Sequence, residues 1–462
     1  MYCGESGKCV SDASIFLQKQ DCRTGVKGAG LADKCQTGII FGEDGVGAVE
    51  REDRKVRFFH MSDLHIGLRL YNYDLKAEQR DMLAQVIAAA RKYEPEGVVI
   101  AGDIYDKSVP SAEAVELFSD FMTELSLAVP DSQIMVISGN HDSGERLDCF
   151  RHILKRQHVH MAGLPPKTPE EYLEKITMED EYGRVNFYLL PFVRPSMVKE
   201  LWRGDWKQDA RAVSIAEAEG AVEADSRKEF GAFSYHETIR RLIARESIDE
   251  GERNVLVSHQ FYLPSGKTAE EIDRAESEIR TVGNIDQVGA ELLSPFDYCA
   301  LGHIHKPMKA GGDRFQYSGT PLTYSVSEIG QEKGFLMVEL KEKGDAPIIT
   351  GMPITPLHQV IKVEGSPAKV LAQGCEDYVL AVLTEVGEGD VIDLADRMKL
   401  AFPRLLEIVS KARYEADYGD ELEEGWKLLD PVEMFQELFP DMDEEEKEIL
   451  RDVVNTVKEN DQ

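Results

Sequence analysis

From residue 56 onwards, segments with the apolar pattern of a strand alternate with segments whose apolar residues have helical spacing. Residues 56–61 predict a first strand, and the continuous apolar run at residues 97–101 is typical of a strand buried on both faces. Helical spacing then predicts two amphipathic helices. The first has an apolar face of Met82, Leu83, Val86, Ile87 and Ala90, and the second has a face of Val115, Phe118, Met122 and Leu125. Further strands are predicted at residues 134–137, 185–190, 254–258, 297–301, 314–318 and 335–340. This alternation predicts an α/β layered fold.

Changes in this pattern divide the chain into four segments. Residues 1–54 have little apolar periodicity, so we expect an N-terminal extension that is disordered or that results from a start codon placed too early. Residues 55–350 carry the alternating pattern, with a charged helical insertion expected at residues 195–250. Residues 351–414 predict a small α+β unit, and residues 415–462 predict an acidic linker (415–424) followed by a helical tail.

Charge and cysteine content restrict the function classes. The 462 residues include 85 Asp and Glu against 53 Lys and Arg, a net charge of −32. Such a chain lacks the basic stripe of a free-standing nucleic-acid binder, although metals or a basic partner could hold phosphates for a nuclease. Four of the seven cysteines, Cys3, Cys9, Cys22 and Cys35, are near the N-terminus. They form no C-x-x-C pair, so an extension without bound metal is favoured over a zinc site.

The sequence has no membrane or secretion signal that we can identify. It contains no run of eighteen apolar residues, so no membrane span is predicted. The first residues lack a continuous apolar segment of the secretory type. We therefore expect a cytoplasmic protein without a membrane partner.

Five short polar segments each closely follow an apolar, strand-like run, and together they contain five of the eleven histidines. They are Asp63-Leu64-His65, Gly102-Asp103, Gly139-Asn140-His141-Asp142, His259, and Gly302-His303-Ile304-His305. Any one alone would more often be a surface turn or a hydrogen-bonded buried histidine. Five in succession, each just past a strand, predict one site at the edge of a packed sheet.

The residue types in these segments are metal ligands. Asp63 and His65 are alternate residues, so in an extended chain their side chains would point to one side, and His303 and His305 repeat this spacing. Asp103 is the natural bridging carboxylate, because two oxygens can serve two cations.

Oxygen and nitrogen ligands together favour Mn²⁺, Fe²⁺ or Zn²⁺ over Mg²⁺ and Ca²⁺. Gly102 and Gly302 precede ligands, and we expect them to let the backbone approach the metals closely. Paired metals about 3.5–4 Å apart suit an in-line displacement at phosphorus. The segments therefore predict a two-metal phosphoesterase.

The residues around Asn140 suggest an acid–base group. His141 directly follows a predicted ligand, so its side chain should lie near the reacting phosphate, as a general acid or a phosphate-orienting group. Asp142 is predicted to fix the tautomer of His141.

The order D-x-H, G-D, G-N-H-D, H, G-H-x-H resembles that of the calcineurin-type metallophosphoesterase superfamily, and most closely its SbcD family of bacterial nuclease subunits. The similar stretches are residues 58–67, 102–106, 138–143, 258–261, 297–307, 317–322 and 324–325. The resemblance implies a layered β-sandwich flanked by helices, with a small α+β C-terminal capping domain and a helical tail. It is strong over residues 56–340 and weak over the small domain and the tail, and residues 1–54 have no counterpart in it.

The resemblance also implies a role for each site residue. One metal would take Asp63, His65, Asp103 and His305, and the other would take Asp103, Asn140, His259 and His303. His141 would be the catalytic histidine. One position departs from the archaeal and eukaryotic relatives, which have a second functional histidine three residues after the bridging aspartate. Here that residue is Asp106, as in the bacterial branch.

By the same resemblance, the chain would be a Mn²⁺-dependent DNA nuclease in repair and recombination. It would be a 3′–5′ exonuclease on double-stranded ends and an endonuclease on single strands and hairpins. It would form a homodimer within a heterotetramer with the SbcC ATPase. Two alternatives stay open: another calcineurin-like phosphodiesterase or phosphatase, and a scaffold subunit that has lost catalysis.

The tail carries apolar residues at helical spacing, which predicts a partner-binding surface. The residues of this surface are Phe435, Leu438, Phe439, Leu450 and Val454. An alternative is that this face folds back on its own domain. The acidic linker favours an extended tail, and the resemblance implies SbcC as its partner.

Overall fold

The computed structural model describes residues 55–202, 233–264, 266–272, 274–275, 278, 285–384, 391–411 and 447. Strands β1 to β19 span, in order, Arg57–Met61, Arg69–Leu70, Tyr73–Asp74, Gly97–Ala101, Gln133–Ile137, Val159–Ala162, Glu174–Asp180, Gly183–Leu190, Arg253–Ser258, Phe261–Leu263, Gln287–Gly289, Tyr298–Leu301, Met308–Lys309, Phe315–Tyr317, Gly334–Glu339, Ile348–Pro353, Val360–Gly365, Tyr378–Leu383 and Arg404–Ser410. Helices α1 to α7 span Lys76–Tyr93, Ala112–Ala128, Gly144–Leu147, Arg151–Leu154, Tyr235–Arg245, Pro367–Leu371 and Val391–Ala401.

Two six-stranded mixed sheets form the larger part of the described chain. Their strand orders are β16-β15-β1-β4-β5-β6 and β13-β14-β12-β9-β8-β7. The sheets pack face to face through a shared apolar layer, in which Phe58 and Val99 of the first sheet meet Phe187 and Tyr298 of the second. The ring centroids of Phe58 and Phe187 are 5.1 Å apart in an edge-to-face arrangement.

Helices cover the outer faces of this sandwich. Helices α1 and α2 pack on the first sheet through residues such as Met82 and Phe118, and α5 packs on the second through Ile239 and Leu242. The predicted α/β layered sandwich flanked by helices is therefore confirmed.

Two details of the sequence prediction are corrected. Val115 is 45% exposed, because α2 faces the core with Ala114, Leu117, Phe121 and Leu125, a stripe turned away from Val115. Position 350, predicted as a domain boundary, lies inside β16, which pairs with β15 of the first sheet as far as Pro353. This strand lies at the sheet edge and four of its six residues are exposed, so its sequence lacks the apolar pattern of a buried strand.

A smaller unit follows β16. Strands β17, β18 and β19 form a parallel sheet in the order β17-β18-β19, and helices α6 and α7 pack on it through Val370 and Met398. The start of α1 joins this unit to the larger one. Glu78 accepts hydrogen bonds from His358 Nδ1 (2.8 Å) and the Tyr378 hydroxyl (3.1 Å). The resemblance implies that this smaller unit is a capping domain, and that role stays a prediction.

Some predictions fall outside the described residues. They concern the extension 1–54, the linker 415–424 and the tail residues Phe435, Leu438, Phe439, Leu450 and Val454. Within the described part of the chain, no helix is both long and apolar enough to cross a membrane.

Candidate metal centre

The five polar segments meet at one edge of the sandwich because the strands before them run in parallel. β1, β4 and β5 are parallel neighbours in the first sheet, and β9 and β12 are parallel neighbours in the second. Their carboxyl ends therefore lie side by side. The turns after β1 and β4 are joined by backbone hydrogen bonds, from Asp63 N to Gly102 O (2.9 Å) and from His65 N to Asp103 O (3.0 Å).

Asp103 occupies the centre of the site. Its Oδ2 atom is 3.2 Å from His259 Nε2, 3.7 Å from His65 Nε2 and 4.0 Å from His141 Nε2. Its other oxygen, Oδ1, accepts a hydrogen bond from the His141 backbone N–H (2.9 Å). One carboxylate thus faces histidines from both sheets, which is the placement expected of a bridging ligand.

One group of ligand atoms lies on the His65 side of Asp103. His65 Nε2 and His305 Nε2 face each other at 3.1 Å, and the ligand atoms of Asp63, His65 and His305 all lie within 4.8 Å of one another. All three side chains are buried. Two imidazole nitrogens and a carboxylate converging in this way form a donor set suited to a divalent transition metal.

A second group lies on the other side. Asn140 Oδ1 is 2.9 Å from His303 Nδ1 and 3.1 Å from His259 Nε2. The ligand atoms of Asp63, Asp103 and His259 also lie within 4.8 Å of one another. The structure thus brings together all seven residues predicted as metal ligands, and six of them are buried. Asn140 is half-buried.

The backbone at these ligands differs from the sequence prediction. Asp63, His65, Asp103 and His303 have φ values of 55°, 42°, 49° and 100°, in the left-handed region that non-glycine residues seldom adopt. They are therefore not alternate residues of an extended chain. Such conformations cost on the order of 1–3 kcal/mol each and persist where the surrounding fold imposes them. Tight turns, rather than strand alternation, aim these side chains into the site.

The two predicted glycines also act differently from expectation. A Cβ atom on Gly102, whose φ is +90°, would lie 2.3 Å from His259 Nδ1. A Cβ atom on Gly302 would lie 2.1 Å from the Ala101 carbonyl oxygen and 2.7 Å from the same histidine nitrogen. Both glycines make room for His259 to enter between the two sheets.

The electrostatics of the site favour a bound cation. Burial raises the pKa of Asp63 to about 6. Burial alone would also raise the pKa of Asp103, but the charges of His259 and His141 hold it well below its ordinary value. For His259, burial opposes protonation, yet the negative charge of Asp103 prevails and raises the pKa to about 9. Asp103 thus attracts positive charge, and the buried set of carboxylate, imidazole and amide donors around it fits a divalent metal.

His141 lies beside the candidate ligands. Its ring packs edge-on against His65, with centroids 4.7 Å apart. Its Nδ1 atom is 2.9 Å from the backbone carbonyl oxygen of Asp106, to which it donates when it carries the proton. This bond leaves Nε2 directed towards Asp103.

The contacts of Asp142 contradict its predicted role. Its carboxylate accepts backbone hydrogen bonds from Gly139 (2.9 Å), Ile104 (3.1 Å) and Tyr105 (3.0 Å). The Asp106 carbonyl, not Asp142, holds the ring of His141. Asp142 instead joins the turn after β5 to the turn after β4, because consecutive side chains in this turn point in different directions.

Sequence reasoning missed several charged residues next to the ligands, including Glu328, Lys333 and Arg274. Glu328 lies 3.8 Å from His305 Nδ1, and Lys333 forms an ion pair with Glu328 at 2.6 Å. Arg274 Nη2 lies 3.1 Å from His303 Nε2. The family resemblance includes the segment 317–325, but nothing in the local sequence pattern predicts that Glu328 and Lys333, just after it, lie next to a ligand.

Comparison with known proteins gives the family. A family model described as calcineurin-like phosphoesterase matches residues 56–307. The SbcD subunit of nuclease SbcCD from Staphylococcus epidermidis is 27% identical over 358 residues, which covers 76% of this chain and 84% of that protein. The same subunit from Staphylococcus saprophyticus is 29% identical over 314 residues, which covers 67% of this chain and 72% of that protein.

Among solved structures, a dimetal phosphatase from Danio rerio covers 65% of this chain and 97% of its own, at 14% identity and a TM-score of 0.37. That score is too low to support an argument. The predicted SbcD-like, metal-dependent phosphodiester hydrolase is confirmed by the family model and the two bacterial relatives. The chain belongs to the calcineurin-like phosphoesterase family.

Proposed function

We propose that this chain is the nuclease subunit of an SbcCD-type complex and hydrolyses DNA phosphodiester bonds with two divalent cations. One observation carries the proposal. The Oδ2 atom of Asp103 lies within 4.0 Å of the Nε2 atoms of His65, His141 and His259, which come from three different strand ends. A carboxylate so surrounded is the expected centre of a two-metal site.

The ligands are assigned as the resemblance implies. The first cation takes Asp63, His65, Asp103 and His305, and the second takes Asp103, Asn140, His259 and His303. The grouping of Asp63, His65 and His305 within 4.8 Å supports the first set, and the contacts of Asn140 Oδ1 with His259 and His303 support the second. When bound, a metal pair stabilises the attacking and the leaving oxygen of an in-line displacement at phosphorus.

We assign the proton transfer of the reaction to His141. Its Nδ1–H is donated to the Asp106 carbonyl, so its Nε2 is the atom that exchanges a proton. With Nε2 protonated, His141 gives that proton to the oxygen of the leaving strand. The ring is held against His65 by packing, which restricts the direction of this transfer. Asp142 contributes indirectly, because it holds the backbone of both turns that carry Asp103 and His141.

The finer properties are proposed on the resemblance and on the names of the two relatives, which are both the SbcD subunit of an SbcCD nuclease. They are use of Mn²⁺, 3′–5′ exonuclease activity on double-stranded ends, and endonuclease activity on single strands and hairpins. The same proposal includes a homodimer of this chain within a heterotetramer with the SbcC ATPase. The chain would bind SbcC through the tail residues around Phe435 and Phe439. The cytoplasmic location stays a prediction.

The test uses the purified full-length chain, stripped of metal and reloaded with Mn²⁺. Four substrates are compared: a duplex labelled at one 3′ end, a DNA hairpin, bis-p-nitrophenyl phosphate and p-nitrophenyl phosphate. A nuclease cuts both DNA substrates and the diester in preference to the monoester. Preference for the monoester would instead identify a phosphatase. Absence of hydrolysis with two bound cations would identify a scaffold subunit.

Asp103→Asn is the matched control for this assay. It keeps the size of the side chain but removes the charge that serves both cations. Loss of both metals and of all hydrolysis is expected.

A further inference from the structure

A buried carboxylate lies behind one candidate metal ligand. Glu328 Oε1 is 3.8 Å from Nδ1 of His305, while Nε2 of the same ring faces His65 Nε2 at 3.1 Å. The imidazole of His305 therefore lies between Glu328 on one side and the first candidate cation position on the other. Glu328 has no solvent-exposed surface.

A set of donors holds the carboxylate of Glu328 in place. The hydroxyl groups of Ser325 and Thr320 donate to it at 3.1 and 3.2 Å, and Lys333 Nζ lies 2.6 Å from its Oε2. Ser325 and Glu328 belong to the same short 3₁₀ turn, since the Glu328 N–H donates to the Ser325 carbonyl oxygen (3.2 Å). The carboxylate is thus fixed in position and in orientation.

Lys333 reaches the same histidine by a second route. Its Nζ donates to the backbone carbonyl oxygen of His305 (3.2 Å) and to Thr320 Oγ1 (2.7 Å). Only 8% of Lys333 is exposed. One buried ion pair therefore faces the ring of His305 through Glu328 and binds its main-chain oxygen through Lys333.

Stability alone does not account for this pair. Two buried opposite charges gain little over apolar side chains of similar volume, because their desolvation offsets their attraction. Metal-binding histidines, by contrast, commonly donate their second ring N–H to a carboxylate or a carbonyl, which fixes the tautomer and strengthens the metal bond. His259 uses a carbonyl in this way, with Nδ1 2.7 Å from the Ala101 oxygen. For His305 the group that faces Nδ1 is the Glu328 carboxylate, at 3.8 Å.

We propose that Glu328 is a positioning residue that orients His305 for the first cation, and that Lys333 holds Glu328 in place for this task. The inference rests on the proposed two-metal function. It concerns a residue pair that lies outside the seven ligands and His141. Glu328 acts through His305 and does not touch the substrate.

The test measures Mn²⁺ binding to the metal-stripped full-length chain, with free Mn²⁺ quantified by electron paramagnetic resonance. Two variants are compared with the wild type: Glu328→Gln and the double variant Glu328→Gln/Lys333→Met. The double variant removes both charges together and leaves no unpaired buried charge, so its metal-free melting temperature should lie closer to that of the wild type than that of Glu328→Gln does. In both variants, one of the two Mn²⁺ equivalents should bind about 10–100-fold more weakly, and the other should keep its affinity.

Glu174→Gln is the matched control. Glu174 also pairs with a histidine and a lysine, His160 at 3.3 Å and Lys155 at 2.8 Å, but it belongs to β7 at the far edge of the second sheet. Both Mn²⁺ equivalents should bind this variant as they bind the wild type.

Two results would overturn the inference. In the first, the double variant binds both equivalents with wild-type affinity, which would make the pair dispensable for His305. In the second, both affinities fall together with the metal-free melting temperature, which would make the pair a general folding element. A wild-type chain that binds no Mn²⁺ would refute the proposed function itself, and with it this inference.

Discussion

Gly102 offers a sharp test of how closely the two sheets approach at the site. Gly102→Ala places a methyl group 2.3 Å from His259 Nδ1, whereas an ordinary contact is about 3.5–4.0 Å. His259 must therefore move by about 1 Å, and its Nδ1 is held at 2.7 Å from the Ala101 carbonyl oxygen. The substitution should displace a metal ligand.

The expected destabilisation has two parts. Alanine at the left-handed φ of +90° costs about 1–2 kcal/mol, and forcing a methyl group into a packed space costs about 1–3 kcal/mol more. We therefore expect a total of about 2–5 kcal/mol for Gly102→Ala. Gly183 is a matched control, because its φ is +95° but a Cβ there meets no atom of the described residues within 4 Å. Gly183→Ala should cost only about 1–2 kcal/mol.

The assays are urea unfolding of the metal-free proteins, Mn²⁺ binding, and hydrolysis of bis-p-nitrophenyl phosphate. Gly183→Ala should bind two Mn²⁺ ions and turn over at the wild-type rate. Gly102→Ala should lose the second Mn²⁺ ion and most of its activity. Equal destabilisation of the two variants, with activity retained in both, would refute the close approach of Gly102 to His259.

Substitutions at other positions test the remaining assignments. Asp103→Ala should lose both Mn²⁺ ions by metal analysis, because one carboxylate serves both; retention of two ions with wild-type turnover would contradict the bridging assignment. His141→Ala should keep both ions but lose about 10²–10⁴-fold in rate, as is typical of general acid–base groups; metal loss in proportion to rate loss would make it a ligand. The hydrogen bond from His160 and the nearby Lys155 lower the pKa of Glu174 to about 2 from an ordinary 4.5, so its stabilising effect should be complete above about pH 4.5 and disappear as the pH falls towards about 2. In urea unfolding, the stability difference between wild type and Glu174→Gln should narrow over that window, and a constant difference would contradict the pKa shift. Truncation before Asp430 should leave Mn²⁺-dependent cleavage of short DNA intact but abolish co-purification with SbcC, and a stable complex without the tail would show that docking lies elsewhere.

The sequence predicted well which residues would meet, because each closely follows a largely apolar, strand-like run. Asp63, Asp103 and Asn140 come after buried strands of one sheet, and parallel order then brings them together. A strand with an exposed face gives a weaker signal, which is why β16 was divided at residue 350.

Other features depend on contacts between distant residues, and no local pattern records them. The left-handed turns at Asp63 and His65 follow from backbone hydrogen bonds to Gly102 and Asp103, in the loop after β4. Glu328 lies behind His305 only once its turn has folded against Thr320. The carboxylate of Asp142 was expected to meet the neighbouring His141, but the tight turn directs it to three backbone amides instead.

The pairing of His65 with His305 has a consequence for biosynthesis. These two histidines are 240 positions apart in the chain, yet their ring nitrogens meet at 3.1 Å. Closing so long a loop is unfavourable until both sheets have formed and packed. A nascent chain that has been synthesised only as far as β12 lacks His303 and His305, so its donor set is incomplete. The two halves of the donor set therefore cannot meet until the second sheet has been synthesised and has packed against the first.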